Sequence, residues 1–285
     1  MKARRPLRSR MWHWLFSLAL VVVALWIFLR WFEYRNVFHP YREVAPAPRH
    51  LARAPEAVRI PTPDGVELGA WFFPADPASP RAALTVIVSH GNGGNISHRI
   101  SLYEILLDLG VSLLAYDYRG YGTSTGRPTE TGTYTDAEAA VDWLVARGIP
   151  EERIVVHGES LGGAVTAELA LRRPRLRGAI LHSTFTSVPD LGTELFPFLP
   201  VRLVSAIHYA TREKLPRIKV PLLFLHSRED TLIGFHHAEA NFAAAAEPKR
   251  LVEIRGDHND QPEASPEVYR RALGEFLDAT APRLR

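Results

Sequence analysis

The sequence predicts an α/β fold, with a mostly parallel central sheet, helices on both faces of it, and one transmembrane helix in front. In the larger part of the chain, short and continuously apolar segments alternate with longer segments that favour helix. Apolar segments of this kind are typical of parallel strands that are buried on both faces. Near the N-terminus, residues 11–29 carry no formal charge.

This uncharged segment predicts a membrane anchor. At 1.5 Å per residue, a helix over residues 11–29 covers about 28 Å, close to the hydrocarbon core of a bilayer. Tryptophans stand near both ends, as is typical of residues at a membrane interface. A cleaved signal peptide is the alternative, but its apolar run is usually only ~7–15 residues and ends at small side chains. Bulky side chains follow here, so we expect an uncleaved anchor over residues 11–32.

The charge distribution predicts the topology and argues against nucleic-acid binding. The chain has 34 basic and 31 acidic residues, and residues 1–10 contain five of the basic ones: Lys2, Arg4, Arg5, Arg8 and Arg10. The rest of the chain is nearly neutral, so no basic domain remains to bind phosphates. The basic leader, residues 1–10, should stay in the cytoplasm, which places the following domain outside it. The chain has no cysteine, which excludes thiolate chemistry.

The remaining elements follow in order along the chain. Residues 33–56 are rich in proline and predict an extended tether, so the folded domain is expected over 57–285. It should open with a hairpin at Pro63-Asp64-Gly65. Strands are then predicted at 84–89, 111–117, 154–157, 179–182, 222–226 and 251–254. Helices are predicted at 97–109, 134–147, 160–172, 235–246 and 266–279.

The most informative segment is Gly158-Glu159-Ser160-Leu161-Gly162, which joins a predicted strand to a predicted helix. Strand, sharp turn and helix form a nucleophile elbow, which exposes the serine hydroxyl above the sheet. A second match, Gly122-Thr123-Ser124-Thr125-Gly126, lies well beyond its strand and is soon followed by Pro128. We therefore predict Ser160 as the nucleophile, and for Ser124 a hydroxyl that bonds the backbone of a glycine-rich loop.

A serine nucleophile needs a base and an acid, and in this type of sheet they follow strands nearer the C-terminus. Asp230 comes directly after the strand 222–226, with Glu229 as a possible substitute, and Asp190 is less well placed. His258 follows the last predicted strand and is the only histidine beyond position 237. The predicted triad is therefore Ser160, His258 and Asp230.

The oxyanion formed by attack of the serine needs backbone N–H donors. Leu161, directly after Ser160, should supply one. The glycine-rich loop after strand 84–89 should supply the other, through Asn92 or alternatively Gly93. The adjacent His236 and His237 project about 100° apart on a helix, so we expect no metal there.

Four segments together resemble the alpha/beta-hydrolase superfamily. They are His-Gly-Asn-Gly-Gly-Asn at 90–95, Asp-Tyr-Arg-Gly-Tyr-Gly at 117–122, Gly-Glu-Ser-Leu-Gly-Gly at 158–163, and Gly-Asp-His-Asn-Asp at 256–260. In particular, the chain is similar to membrane-anchored alpha/beta-hydrolase-domain proteins, which resemble prolyl-oligopeptidase-like catalytic domains. The resemblance covers about residues 57–280. It implies a serine hydrolase without a cofactor, and a structural role for Asp117 and Arg119.

Residues 183–219 interrupt the alternation of strands and helices and predict a short lid. Its apolar residues Phe196, Phe198 and Leu199 are candidates for binding an acyl group, although packing on the edge of the core would explain them equally well. We therefore expect a membrane-tethered enzyme that cleaves carboxylic esters or thioesters of small or lipid-like acyl substrates. A serine peptidase of the prolyl-oligopeptidase type and a non-catalytic binding module are the alternatives. The sequence does not define an oligomeric state.

Overall fold

The computed structural model describes residues 7–280, so most of the predicted basic leader lies outside the described residues. The strands are β1 (His39–Pro40), β2 (Glu56–Pro61), β3 (Glu67–Phe73), β4 (Thr85–Ser89), β5 (Gly93–Gly94), β6 (Ser112–Tyr116), β7 (Ile154–Glu159), β8 (Gly178–His182), β9 (Leu222–Ser227) and β10 (Lys249–Ile254). Eight of them form the central sheet, in the order β10-β9-β8-β7-β4-β6-β3-β2. The pairs β2–β3 and β3–β6 are antiparallel and the other neighbours are parallel, which confirms the predicted sheet and hairpin.

The helices are α1 (Leu7–Val37), α2 (Ile100–Asp108), α3 (Glu130–Ala146), α4 (Leu161–Arg172), α5 (Val188–Leu195), α6 (Val201–Val204), α7 (Thr211–Lys214), α8 (Phe235–Ala244), α9 (Gln261–Ala264) and α10 (Pro266–Ala279). Local capping explains where several of them begin. Thr129 accepts a hydrogen bond from the Gly132 N–H, so α3 begins four residues before its predicted start. Ser187 caps α5 in the same way, through the Asp190 N–H.

Two apolar cores lie on opposite faces of the sheet. One includes residues of α3 and α4, and the other includes residues of α2 and α10. The central strands β4, β6, β7 and β8 are buried along their whole length. This burial on both faces explains why these strands are continuously apolar rather than alternating.

The N-terminal helix α1 is the one described helix that is long and apolar enough to cross a membrane, over Met11–Val37. Its side chains from residue 11 to residue 28 are exposed. From Leu29 onward several become partly buried against the rest of the protein. The helix is therefore longer than the predicted anchor at 11–32, and its last turns belong to the folded domain.

The segment after α1 is extended and is bound to the domain. Phe38 is buried, and β1 pairs in parallel with β5 in the glycine-rich loop. Asn95 donates hydrogen bonds from Nδ2 to the carbonyl oxygens of Tyr41 and Glu43. These contacts hold the segment against the glycine-rich loop, because they satisfy polar groups of that loop.

Candidate active site

The nucleophile elbow lies where β7 passes into α4. Ser160 has φ of 54° and ψ of −116°, a strained backbone conformation for a residue with a side chain. A Cβ on Gly158 would overlap the carbonyl oxygen of Gly162, and one on Gly162 would overlap that of Ser89. These two glycines allow β7, α4 and β4 to approach closely, which raises Ser160 at the carboxyl end of the sheet.

The three residues proposed as a triad lie within hydrogen-bond reach of one another. His258 Nε2 is 3.1 Å from Ser160 Oγ, and His258 Nδ1 is 2.8 Å from Asp230 Oδ2. All three are buried to more than nine-tenths. The imidazole can therefore take the serine proton at Nε2 while it donates from Nδ1 to the carboxylate.

The surroundings of Asp230 keep its carboxyl ionised. Burial opposes ionisation, but the hydrogen bond with His258 and the N–H of Ile233 outweigh it and hold the pKa of Asp230 below its usual value. Oδ1 accepts N–H groups of Leu232 at 3.0 Å and Ile233 at 2.8 Å. Glu229, the alternative acid, accepts instead from the Gly256 N–H at 2.9 Å. The structure thus places Asp230, and not Glu229, against His258.

A buried hydrogen-bonded chain supports Asp230 from below, and sequence analysis missed it. Gln261 Nε2 donates to Asp230 Oδ2 at 3.2 Å, while Gln261 Oε1 lies 2.7 Å from His182 Nε2. Tyr269 Oη lies 3.2 Å from His182 Nδ1 and 2.8 Å from His157 Nε2. Because a carboxylate only accepts, Gln261 must donate to it, and each later group then has a fixed role.

The order of donors ends at His157. His182 donates from Nε2 to Gln261, Tyr269 donates to His182 Nδ1, and His157 donates from Nε2 to Tyr269. His157 Nδ1 is left as a lone pair, which matches its lack of a partner. Burial lowers the pKa of His182, and it lowers the pKa of His157 to about 3. Both rings are therefore neutral near pH 7, as this chain requires. Gln261 follows His258 closely in the sequence, but a lone glutamine carries no recognisable signal.

The two predicted oxyanion donors line one cavity together with Ser160. Leu161 is the first residue of α4, so no acceptor within the helix can bind its N–H. The carbonyl oxygen of Asn92 accepts the His39 N–H at 3.1 Å and the Tyr121 hydroxyl at 2.9 Å. The segment after α1 thus fixes the position of the predicted oxyanion loop.

A partly buried ion pair connects the same loop to the elbow. Arg99 Nε lies 2.9 Å from Glu159 Oε2, and Arg99 also donates from Nη2 to the Gly93 carbonyl at 3.1 Å. Burial opposes ionisation of Glu159, but Arg99 outweighs it and lowers the pKa of this carboxyl. Glu159, the residue before Ser160, therefore helps to hold the glycine-rich loop in place.

The cavity at Ser160 has a volume of about 450 Å³ and a mostly apolar lining. Of the three lid residues predicted to bind substrate, Phe196 and Leu199 line it. Phe198 does not line it, and its side chain is 97% exposed. The turn between α5 and α6 brings Phe196 and Leu199 to the cavity and leaves Phe198 exposed. The C-terminal turns of α1, including Leu29, Phe32 and Val37, form the opposite wall, which sequence analysis did not foresee.

The other singled-out residues have structural surroundings. Ser124 is buried, accepts the Gly69 N–H at 2.9 Å and donates to the Asp117 carbonyl at 2.8 Å, as predicted for a loop hydroxyl. Asp117 Oδ1 accepts the Ile96 N–H at 2.8 Å. Arg119 bonds both Asp64 and Asp136, joining the β2–β3 turn to α3. Asp117 and Arg119 thus contact groups that hold the fold.

His236 and His237 correct one detail of the sequence analysis. Their Nε2 atoms lie 3.0 and 3.3 Å from the same oxygen of Glu194, and the ring centroids are 4.4 Å apart. The argument from helical spacing fails because long side chains in the first turn of α8 can bend toward one partner. The cluster links α5 to α8, because both imidazoles contact the carboxylate of Glu194.

Comparisons with known proteins agree with this architecture. A family described as serine aminopeptidase, S33, matches residues 79–210. The uncharacterized protein Rv2307c of Mycobacterium tuberculosis is 37% identical over 265 residues, which cover 92% of this chain and 93% of that protein. The alpha/beta hydrolase domain-containing protein WAV2 of Arabidopsis thaliana is 34% identical over 258 residues, covering 84% of this chain and 83% of that protein.

A solved structure gives the same result. The esterase Pf2001 of Pyrococcus furiosus has a TM-score of 0.71 and 26% identity to this chain, covering 85% of this chain and 98% of that one. Three observations support one assignment: the sheet order, the strand–turn–helix at Ser160, and relatives that align over most of their length. The chain belongs to the alpha/beta-hydrolase family.

Proposed function

We propose that this protein is a membrane-tethered serine hydrolase that cleaves carboxylic esters or thioesters through an acyl-enzyme. The observation that carries the proposal is the hydrogen-bonded series Ser160–His258–Asp230 at the end of an apolar cavity. The likeness to the esterase Pf2001 supports an ester as substrate. The strained conformation of Ser160 supports its role as nucleophile.

In the first half of the reaction, Ser160 Oγ attacks the acyl carbon while His258 Nε2 takes the hydroxyl proton. The carbonyl oxygen becomes an oxyanion, which the N–H groups of Leu161 and Asn92 stabilise. Asp230 stabilises the imidazolium and holds its orientation. The bond from the acyl carbon to the alcohol or thiol then breaks, and His258 returns the proton to the leaving group.

In the second half, a water molecule loses a proton to His258 Nε2 and attacks the acyl-enzyme. A second oxyanion forms at the same site and collapses, which releases the carboxylic acid. Ser160 Oγ recovers its proton from His258. No step needs a cofactor.

A peptidase with the same triad is the second candidate, favoured by the description of the matching family as a serine aminopeptidase. An aminopeptidase needs an acidic group to bind the substrate ammonium. Among the described residues that line the cavity, Glu33 is the one carboxylate, and it already accepts from Ser205, Ala206 and Ile207. The lining therefore supports an uncharged acyl group better than a peptide N-terminus.

The proposal includes an anchor with its N-terminus in the cytoplasm and the catalytic domain on the other side. The basic leader supports this orientation. Because the chain has no cysteine, Ala78→Cys at an exposed loop gives a single labelling site. A membrane-impermeant maleimide should label it from outside the cytoplasm in intact cells, and labelling only after the cells are broken would reverse the topology.

Labelling with a fluorophosphonate tests the chemistry. We expect the parent and Ser124→Ala to be labelled, and Ser160→Ala and His258→Ala to lose labelling. Butyryl esters of 4-methylumbelliferone and of a thiol, with an aminoacyl amide as comparison, then rank the substrates. Labelling retained in Ser160→Ala would overturn the assignment of the nucleophile, and a higher kcat/KM for the amide would favour the peptidase.

A further inference from the structure

The wall that α1 contributes to the cavity has a consequence for the substrate. Phe32 packs edge to face against Phe196 of the lid, with ring centroids 5.2 Å apart. Glu33 Oε1 accepts the N–H groups of Ala206 at 2.8 Å and Ile207 at 3.0 Å, just after the lid helix α6. The lid and the end of the membrane helix are therefore one packed unit around the cavity.

The length of α1 places this unit at the membrane surface. Its 31 residues extend for about 46 Å, while the hydrocarbon core of a bilayer is about 30 Å thick. A span that begins at Met11 needs about 20 residues and ends near Arg30. The residues of α1 that line the cavity begin at Leu29, so the proposed anchor would hold the cavity at the level of the lipid headgroups.

The outer surface of the lid is also suited to this position. Phe198 and Leu203 are 97% and 88% exposed, and Leu195 is nearly half exposed. Large apolar side chains exposed together mark a surface that contacts an apolar partner. They belong to the same lid that packs against α1, and α1 itself continues into the apolar span. A bilayer is the partner that fits this continuity.

We propose that the substrate is a membrane-resident amphiphile, and that one acyl chain enters from the bilayer between α1 and the lid to reach Ser160. This inference rests on the proposed function and specifies its substrate class. The apolar lining from Phe32 through Phe196 and Leu199 to Leu161 holds the chain. The volume of about 450 Å³ lies in the range of pockets for small ligands and suits one chain.

The test uses the full-length protein reconstituted in phosphatidylcholine vesicles, with 4-methylumbelliferyl palmitate as the membrane-resident probe. The probe is added either to the vesicles that hold the enzyme or to separate vesicles at the same total concentration. Palmitoyl esters exchange slowly through water, so we expect at least tenfold faster hydrolysis when enzyme and probe share a vesicle. Equal rates would overturn the inference.

Water-soluble 4-methylumbelliferyl butyrate separates this inference from the proposed function. If Ser160→Ala leaves butyrate hydrolysis unchanged, the proposed function fails. If Ser160→Ala abolishes it but palmitate is hydrolysed equally in both arrangements, the proposed function stands and only bilayer entry fails.

A matched pair of variants tests the wall itself. Phe32→Ala removes a ring that lines the cavity, and it should lower the ratio of kcat/KM for palmitate to that for butyrate about tenfold. Trp31→Ala removes a neighbouring aromatic ring that is exposed and does not line the cavity, and it should leave the ratio unchanged. An equal ratio in both variants would show that α1 does not contact the chain.

Discussion

The chain contains two Gly-x-Ser-x-Gly segments, and the structure gives their serines opposite surroundings. Ser160 follows β7 directly and faces the imidazole of His258 at 3.1 Å. Ser124 comes eight residues after the end of β6, and its hydroxyl bonds backbone groups at Gly69 and Asp117. One hydroxyl is free to react and the other joins two segments of backbone. The pentapeptide alone therefore does not indicate which serine faces a histidine, whereas a strand that directly precedes the serine does.

The glycines of the two segments also serve different needs. Gly158 and Gly162 are required because neighbouring backbone leaves no room for a Cβ. Gly122 and Gly126 have φ of +45° and +78°, and they supply the left-handed conformation of a loop. The first pair allows close packing of helix and strands, and the second pair allows the chain to turn.

The largest predicted difference is between the two serines themselves. Ser160→Ala should lower kcat/KM for 4-methylumbelliferyl butyrate by about 10⁴-fold or more, because the nucleophile is lost. Ser124→Ala should retain most activity but lower the free energy of unfolding by about 1–3 kcal/mol, because the buried Gly69 N–H loses its acceptor. Kinetics and urea unfolding in detergent measure both. Loss of activity in Ser124→Ala without loss of stability would contradict the structural role of Ser124.

The adjacent carboxylates give the second difference. Asp230→Asn should lower kcat about 10³- to 10⁴-fold, because an amide cannot stabilise the imidazolium of His258. Glu229→Gln should change kcat less than threefold, since it retains an acceptor for the Gly256 N–H. Steady-state kinetics at saturating ester measures the effect. A larger loss of kcat in Glu229→Gln than in Asp230→Asn would show that Glu229, and not Asp230, is the acid.

The glycines provide a third, smaller contrast. Gly162→Ala would force a Cβ against the Ser89 carbonyl and displace the elbow, and a shift of about 1 Å is enough to lower kcat/KM about 100-fold. Gly126→Ala meets Val66 at 3.3 Å and must keep a positive φ, which costs about 1–2 kcal/mol of stability. Its activity should stay within threefold of the parent. Similar activities for the two variants, measured with both proteins folded, would contradict the contrast.

Much of the fold could be predicted because it follows from local pattern. The six strands predicted after the hairpin lie within two residues of their observed bounds, since buried parallel strands are continuous apolar runs. The helices agree less well where a cap decides the start, as Thr129 does for α3. Ser160, Asp230 and His258 could be placed near one another because each follows the carboxyl end of a strand, and these ends meet at one edge of the sheet.

The missed features depend on contacts between distant segments. Nothing in the sequence near Phe32 indicates that it meets Phe196, and nothing near His39 indicates pairing with Gly93. Phe196 and Phe198 could not be told apart, because the orientation of a short turn decides which ring faces the cavity. Gln261, the first residue of α9, was missed because its role depends on His182, which lies at the end of β8.

The smallest predicted difference concerns acid stability. Three residues before each serine stands a buried ring: His157 before Ser160 and Tyr121 before Ser124. Burial lowers the pKa of His157 to about 3 and raises that of Tyr121 above its usual value. Between pH 6.5 and 3, of these two residues only His157 therefore differs in protonation between the folded and the unfolded protein. An unfolded histidine binds its proton below about pH 6.5. The contribution of His157 is therefore fully present above that pH and is lost as pH falls toward 3.

This loss has a slope that can be measured. Each unit by which the pH falls between 6.5 and 3 should lower the free energy of unfolding by about 1.4 kcal/mol, because the unfolded state holds one more proton at this site. His157→Gln keeps a donor for Tyr269 but cannot titrate, so its free energy of unfolding should fall less steeply between pH 6 and 4, by up to that amount per unit. His208→Gln, at an exposed histidine, controls for the loss of one imidazole. A slope in His157→Gln equal to that of the parent would mean that His157 is protonated in the folded protein, and the fixed order of donors from His157 to Asp230 would then be wrong.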